Sequence, residues 1–121
     1  MRTLKGSLAT AVLIWALVAA SIHIYAVVRV VNTAFLCGVH LLCLLPLGFI
    51  LYPATSKSPK DRPTAMDVIL ATLAFACAFY VTKNYSYTET RWYLASPVST
   101  LEAVLGAVNV LLIVEATRRV V

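Results

Sequence analysis

Long charge-free apolar runs alternate along this chain with short charged segments. No charged residue falls between Lys5 and Arg29, or between Arg29 and Lys57. A helix needs about 20 apolar residues to cross a hydrocarbon core of roughly 30 Å, so these runs predict spanning helices over about residues 8–28 and 33–52. Pro53 closes the second. Pro46, inside it, removes a backbone donor and is expected to bend it. The later runs are shorter, bounded by Asp67 and Lys83 and by Glu102 and Glu115, and capping chemistry marks their starts. Thr64-Ala65-Met66-Asp67 and Ser99-Thr100-Leu101-Glu102 share one pattern: a hydroxyl accepts from a first-turn amide, and the acid three residues on reaches back to the cap amide. The two acids therefore belong to helix starts at the membrane surface. Helices over about 65–82 and 100–117 follow, each about 27 Å long at 1.5 Å per residue. The pattern predicts an all-α integral membrane fold: four transmembrane helices in a single domain covering residues 1–121. Residues 53–63 form the one polar linker, and there is no internal repeat.

Composition strengthens this reading. The 121 residues are 61% hydrophobic and 12% charged, about half the charge of an ordinary soluble domain, so lipid is the expected surround. The formal net charge of +5 does not point to nucleic acid, because the cations sit between apolar runs and form no basic stripe. Their placement predicts orientation instead. Arg2, Lys5, Lys57, Lys60, Arg62, Arg118 and Arg119 fall on one side, and Arg29, Lys83 and Arg91 on the other. Seven against three puts both termini in the cytoplasm under the positive-inside rule. Tyr85, Tyr87, Trp92 and Tyr93 enrich the outer third loop in rings that favour the lipid–water boundary. A rival reading takes Arg2, Lys5 and the apolar stretch to Val18-Ala19-Ala20 as a removable secretory signal; the run continues to Val28, long enough to span.

Candidate chemistry is sparse. His23 and His40 fall at matching depths on the first two helices, about five residues from the outer end of one and seven into the other. A pair so placed can ligate a b-type haem or, more plainly, hydrogen-bond across helices or to a carbonyl. Glu115, Arg118 and Arg119 form the densest charge cluster, and their i, i+3 and i, i+4 spacings bring both guanidinium groups beside the carboxylate. That is either an interfacial ion pair suited to a helix C-terminus or a fork offered to a docking partner. Arg29 can snorkel to water from the end of the first helix. Cys37, Cys43 and Cys77 form no C-x-x-C pair and read as small buried hydrophobes. Gly38, Gly48 and Gly106 allow close helix approach. No span interior contains Asp, Glu, Lys or Arg, whereas proton-coupled pumps generally need an intramembrane ionisable group. No catalytic triad, phosphate loop or zinc spacing is present, so neither enzymatic activity, a resident metal nor another cofactor is expected.

The run His40-Leu41-Leu42 leading to Leu51-Tyr52-Pro53-Ala54, then Asp67-Val68-Ile69-Leu70-Ala71, the loop with Tyr85 and Arg91, and the closing Glu115-Ala116-Thr117-Arg118-Arg119-Val120-Val121 resembles the fused membrane permeases of tripartite ATP-independent periplasmic (TRAP) transporters. The similarity runs from about Arg29 onward; the first helix fits only in kind. It implies a four-helix portion equivalent to the small membrane subunit, in the cell inner membrane. That portion would be a stationary scaffold beside a large membrane subunit or domain, which holds the substrate and cation sites and is served by a periplasmic binding protein that delivers organic acids. This chain stops at Val121, where the large domain begins in fused members, so transport is expected to need that partner. Two other readings stand beside this one: a small multidrug-type exporter and a haem-binding membrane protein using His23 and His40. Such exporters depend on a glutamate in the first helix, where this chain has only Ser21, His23 and Tyr25 as notable polar groups.

Overall fold

The computed structural model describes residues 1–55, 57–92 and 95–121. Its helices are α1 (Gly6–Val28), α2 (Thr33–Leu51), α3 (Ala65–Lys83), α4 (Tyr85–Thr90) and α5 (Thr100–Val120), with no strand among the described residues. All but the short α4 are long and apolar enough to cross a membrane. At 1.5 Å per residue they measure about 28–34 Å, the thickness of a hydrocarbon core. The protein is an all-α, multi-pass membrane protein.

Both expected capping boxes are formed. Thr64 accepts from the Asp67 amide while the Asp67 carboxylate takes the Thr64 amide, and Ser99 and Glu102 repeat the exchange. α5 runs three residues beyond the expected end at 117, because its last turn is held by the arginines described below. α4 was not expected. It begins where Asn84 ends α3, and the Asn84 carbonyl takes the Thr88 amide; with only six residues and a polar sequence, it carries no apolar period to read. Tyr93 lies outside the described residues. Tyr87 and Trp92 are exposed, and Tyr85 packs edge-on against Phe35.

α2 is the central helix. One of its faces meets α3 and α5 through Leu45 and Phe49, which pack with Ala71, Ala74, Cys77 and Leu112. The other meets α1 through Val39 and Cys43, packed with Ala19. The α2–α3 contact is the most extensive, and Gly38 explains how close it is. A Cβ there would lie 2.6 Å from Thr82 Oγ1 and 3.0 Å from Thr82 Cα, so only glycine lets the backbones meet. Gly48 and Gly106, by contrast, face open space. Cys43 and Cys77 are buried as expected, but Cys37 is exposed, being on an uncovered face of α2. α1 and α5 bury few of their residues in the bundle. Their exposed side chains include Leu13, Leu17, Val110 and Leu111, a surface that suits lipid or another membrane helix.

Candidate functional site

Two polar clusters are set within this apolar frame. The first is centred on Asp67. Its position in the first turn of α3 aims the carboxylate back at Thr64, whose amide and hydroxyl donate to Oδ2 at 2.8 and 2.6 Å. Arg2 Nη2 donates to the same oxygen at 2.6 Å, and Arg119 Nη1 to Oδ1 at 2.7 Å. The three side chains are at most 2% exposed, and two guanidinium groups compensate the buried carboxylate.

Arg2 also completes α2. A helix ends with carbonyls that have no partner within it. The Arg2 amide takes that of Leu51 at 2.8 Å, and its guanidinium takes those of Ile50 at 2.9 Å and Phe49 at 3.3 Å. A cation at this end is also favoured by the helix dipole. The Pro59 carbonyl accepts from Arg2 Nε, and the Thr3 amide donates to Lys60, so residues 2 and 3 form a strap across the α2–α3 loop. The chain then turns into α1 at Gly6, whose φ of +64° lies in the left-handed region that glycine enters without steric cost.

The expected cluster at the other chain end joins this lock. Glu115 Oε1 accepts from Arg119 Nε at 2.8 Å and from Arg118 Nη2 at 2.8 Å, fulfilling the i, i+3 and i, i+4 spacings. The two arginines then part. Arg119 is turned inward over the Phe49 ring to Asp67. Arg118 is 56% exposed on its side chain and adds a bond to the Ala54 carbonyl. Of the fork, therefore, only Arg118 and the partly exposed Glu115 face outward. Asp67 lies in the first turn of α3 as expected, and there the strap and the α5 terminus enclose it wholly. Sequence reading missed Arg2 as its partner, though a signal was present: an even number of spans brings residues 2, 67 and 119 to one end.

The second cluster is the histidine pair. His23 Nε2 lies 2.9 Å from His40 Nδ1, and His23 Nδ1 lies 2.6 Å from the Ala19 carbonyl. The matching depths read from the sequence thus become a direct interhelical hydrogen bond, of the kind that joins membrane helices. Iron held between two axial imidazoles would separate their ligand nitrogens by about 4 Å, given metal–nitrogen bonds of about 2 Å, so this arrangement does not fit bis-histidine haem ligation. No group of three or more His, Cys, Asp or Glu able to hold a metal occurs among the described residues.

At the opposite end from Asp67, Arg91 pairs with Glu102 at 3.3 Å and donates to Pro97 at 2.6 Å, above the Tyr87 ring. Asn32 caps α2 and donates to Glu89 at 2.7 Å. These contacts tie the loops to helix ends. A further polar residue, Asn109, sits midway along α5 with its Oδ1 enclosed and without a hydrogen-bond partner among the described residues; a lone carboxamide in the charge-free window after Glu102 was the signal for it. No protein-family model, characterised protein or solved structure matches the chain.

Proposed function

We propose that this protein is the small membrane-scaffold portion of a secondary, cation-coupled TRAP-type transporter for organic acids. It works in the cell inner membrane beside a large membrane subunit and a periplasmic binding protein. One observation carries most weight. The chain is clamped by a buried Arg2–Asp67–Arg119 lock, yet in α1 and α5 few residues are buried within the chain itself. A rigid unit with broad uncommitted flanks is what a stationary scaffold requires. Its Asp67 carboxylate is consumed by structural bonds, which leaves little to bind or couple a solute. The resemblance of the Glu115–Val121 run to the TRAP permeases supports the same reading. The run has a definite structural task, since its Arg119 binds Asp67 and its Glu115 holds both Arg118 and Arg119.

The test is reconstitution. The tagged chain, co-expressed with the large membrane subunit, should retain that subunit through mild-detergent purification. Binding-protein-dependent uptake of an organic acid by proteoliposomes should require both. Arg118→Glu reverses the exposed arm of the fork while leaving Asp67 paired, and reduced retention would assign Arg118 to docking. Full uptake by the large subunit without this chain would defeat the reading.

A further inference from the structure

The histidine pair has a direction. A carbonyl oxygen only accepts, so the Ala19 contact at 2.6 Å fixes the proton of His23 on Nδ1. Neutral His23 then presents a bare Nε2, and His40 Nδ1 must be the donor across the 2.9 Å contact. Neutral His40 is left with a lone pair on Nε2, and nothing among the described residues donates to it. His40 is exposed, about 10 Å along α2 at 1.5 Å per residue, where there is no water to satisfy it. An unpaired polar group costs most in that setting.

His40 marks one end of an apolar groove between α2 and α5. Leu44 and Gly48 line one wall; Ile113, Thr117 and Val120 line the other. A further observation bears on this groove. A Cβ on Gly48 would meet nothing within 4 Å, so the glycine serves no contact inside the chain. A small residue on an outward face of a membrane helix is what lets another helix approach closely.

We infer that this groove receives a transmembrane helix of the large membrane subunit, an apolar helix lying over Gly48 and carrying one hydrogen-bond donor at the depth of His40. The inference rests on the scaffold reading above and names its docking surface. The chemistry selects against the other occupants. A lipid chain fills the groove but has no donor for Nε2. A second copy related by a twofold axis sets one bare His40 acceptor against another. The hydroxyls of Thr10, Ser21, Thr72, Thr82 and Thr117 already face carbonyls of their own helices.

The test uses the chain co-expressed with the large membrane subunit, with a photoreactive benzoylphenylalanine replacing Leu44 in the groove or Leu13 on α1. Irradiated membranes should give an adduct to the large subunit from position 44 and not from position 13. His40→Leu should weaken association roughly three- to tenfold, the range of one interhelical hydrogen bond in a membrane, and His40→Gln, which keeps an acceptor, should recover part of it. Gly48→Leu projects into the groove from a position where a Cβ meets nothing within 4 Å, so its thermal unfolding in detergent should not fall below wild type while retention of the large subunit falls. An adduct of two copies of this chain, an adduct to lipid alone, or wild-type retention by both His40→Leu and Gly48→Leu would overturn the assignment. If the unsubstituted chain retains the large subunit and these results appear, only the groove is wrong; if it retains none, the scaffold reading fails first.

Discussion

Asp67 faces two guanidinium groups, which makes the three residues unequal. Loss of Arg2 leaves the carboxylate paired with Arg119, whereas loss of Asp67 leaves two buried cations facing each other. Breaking a buried pair from one side costs about 3–5 kcal/mol. Asp67→Asn should therefore approach that figure in detergent unfolding followed by circular dichroism, and Arg2→Gln should cost less, even though it also strips the guanidinium donors from two α2 carbonyls, those of Phe49 and Ile50. Adding Arg2→Gln to Asp67→Asn should recover part of the loss, since one of the two facing cations is gone. Equal costs for the two single changes would show that the lock is not organised around the carboxylate. Residue spacing revealed half of this cluster. Glu115, Arg118 and Arg119 meet within one helix, where a local count suffices, and so do the capping boxes at Thr64 and Ser99. The bond from Arg2 to Asp67 joins positions 65 residues apart, and a charge tally that treats Arg2 as an orientation signal has no reason to place it in a core.

Among the helices, the α2–α3 contact depends on one hydrogen atom at Gly38. A methyl there meets Thr82, whose hydroxyl is engaged with the Ala78 carbonyl at 2.7 Å, so the helices must separate. Gly38→Ala should destabilise the protein by about 1–3 kcal/mol, the usual range for overpacking. Gly48→Ala, whose added methyl meets nothing within 4 Å, should be neutral or slightly stabilising, because alanine is the better helix former. A lowered unfolding midpoint for the Gly48 variant would show that it is not open. On the other face of α2, Pro46 cannot donate to Leu42, and Cys43, three residues before the proline, offers its carbonyl to Trp15 Nε1 at 2.9 Å. Trp15→Phe keeps the ring near Phe75 but removes this bond, and should cost about 1 kcal/mol. Helix extents were legible because apolar length and caps are local properties. Packing faces were not, because spans that are apolar all round carry no stripe to say which side meets a neighbour. Gly38 and Gly48 look alike in sequence and differ only in what stands opposite.

For the molecule as a whole, the lock has a topological consequence. Arg2 and Arg119 both bind Asp67 at the start of α3, and the strap lies on the α2–α3 loop. Both chain ends and that loop thus share one end of the bundle, while Asn32, Glu89, Arg91 and Glu102 gather at the other. The count of Lys and Arg gives this geometry a direction, since the locked end is also the richer in cations and so is expected to face the cytoplasm. The two statements are separable by experiment. In a chain whose own cysteines are replaced by serine or alanine, Ser58→Cys and Thr88→Cys should label from opposite sides of intact cells or spheroplasts. An impermeant maleimide added outside should reach Thr88→Cys alone, and a carboxyl-terminal fluorescent fusion should report the same side as position 58. Outside labelling at 58 together with a cytoplasmic carboxyl terminus would break the lock itself, because Asp67 could not then meet Arg119. Outside labelling at 58 with an external carboxyl terminus would keep the lock and reverse only its orientation.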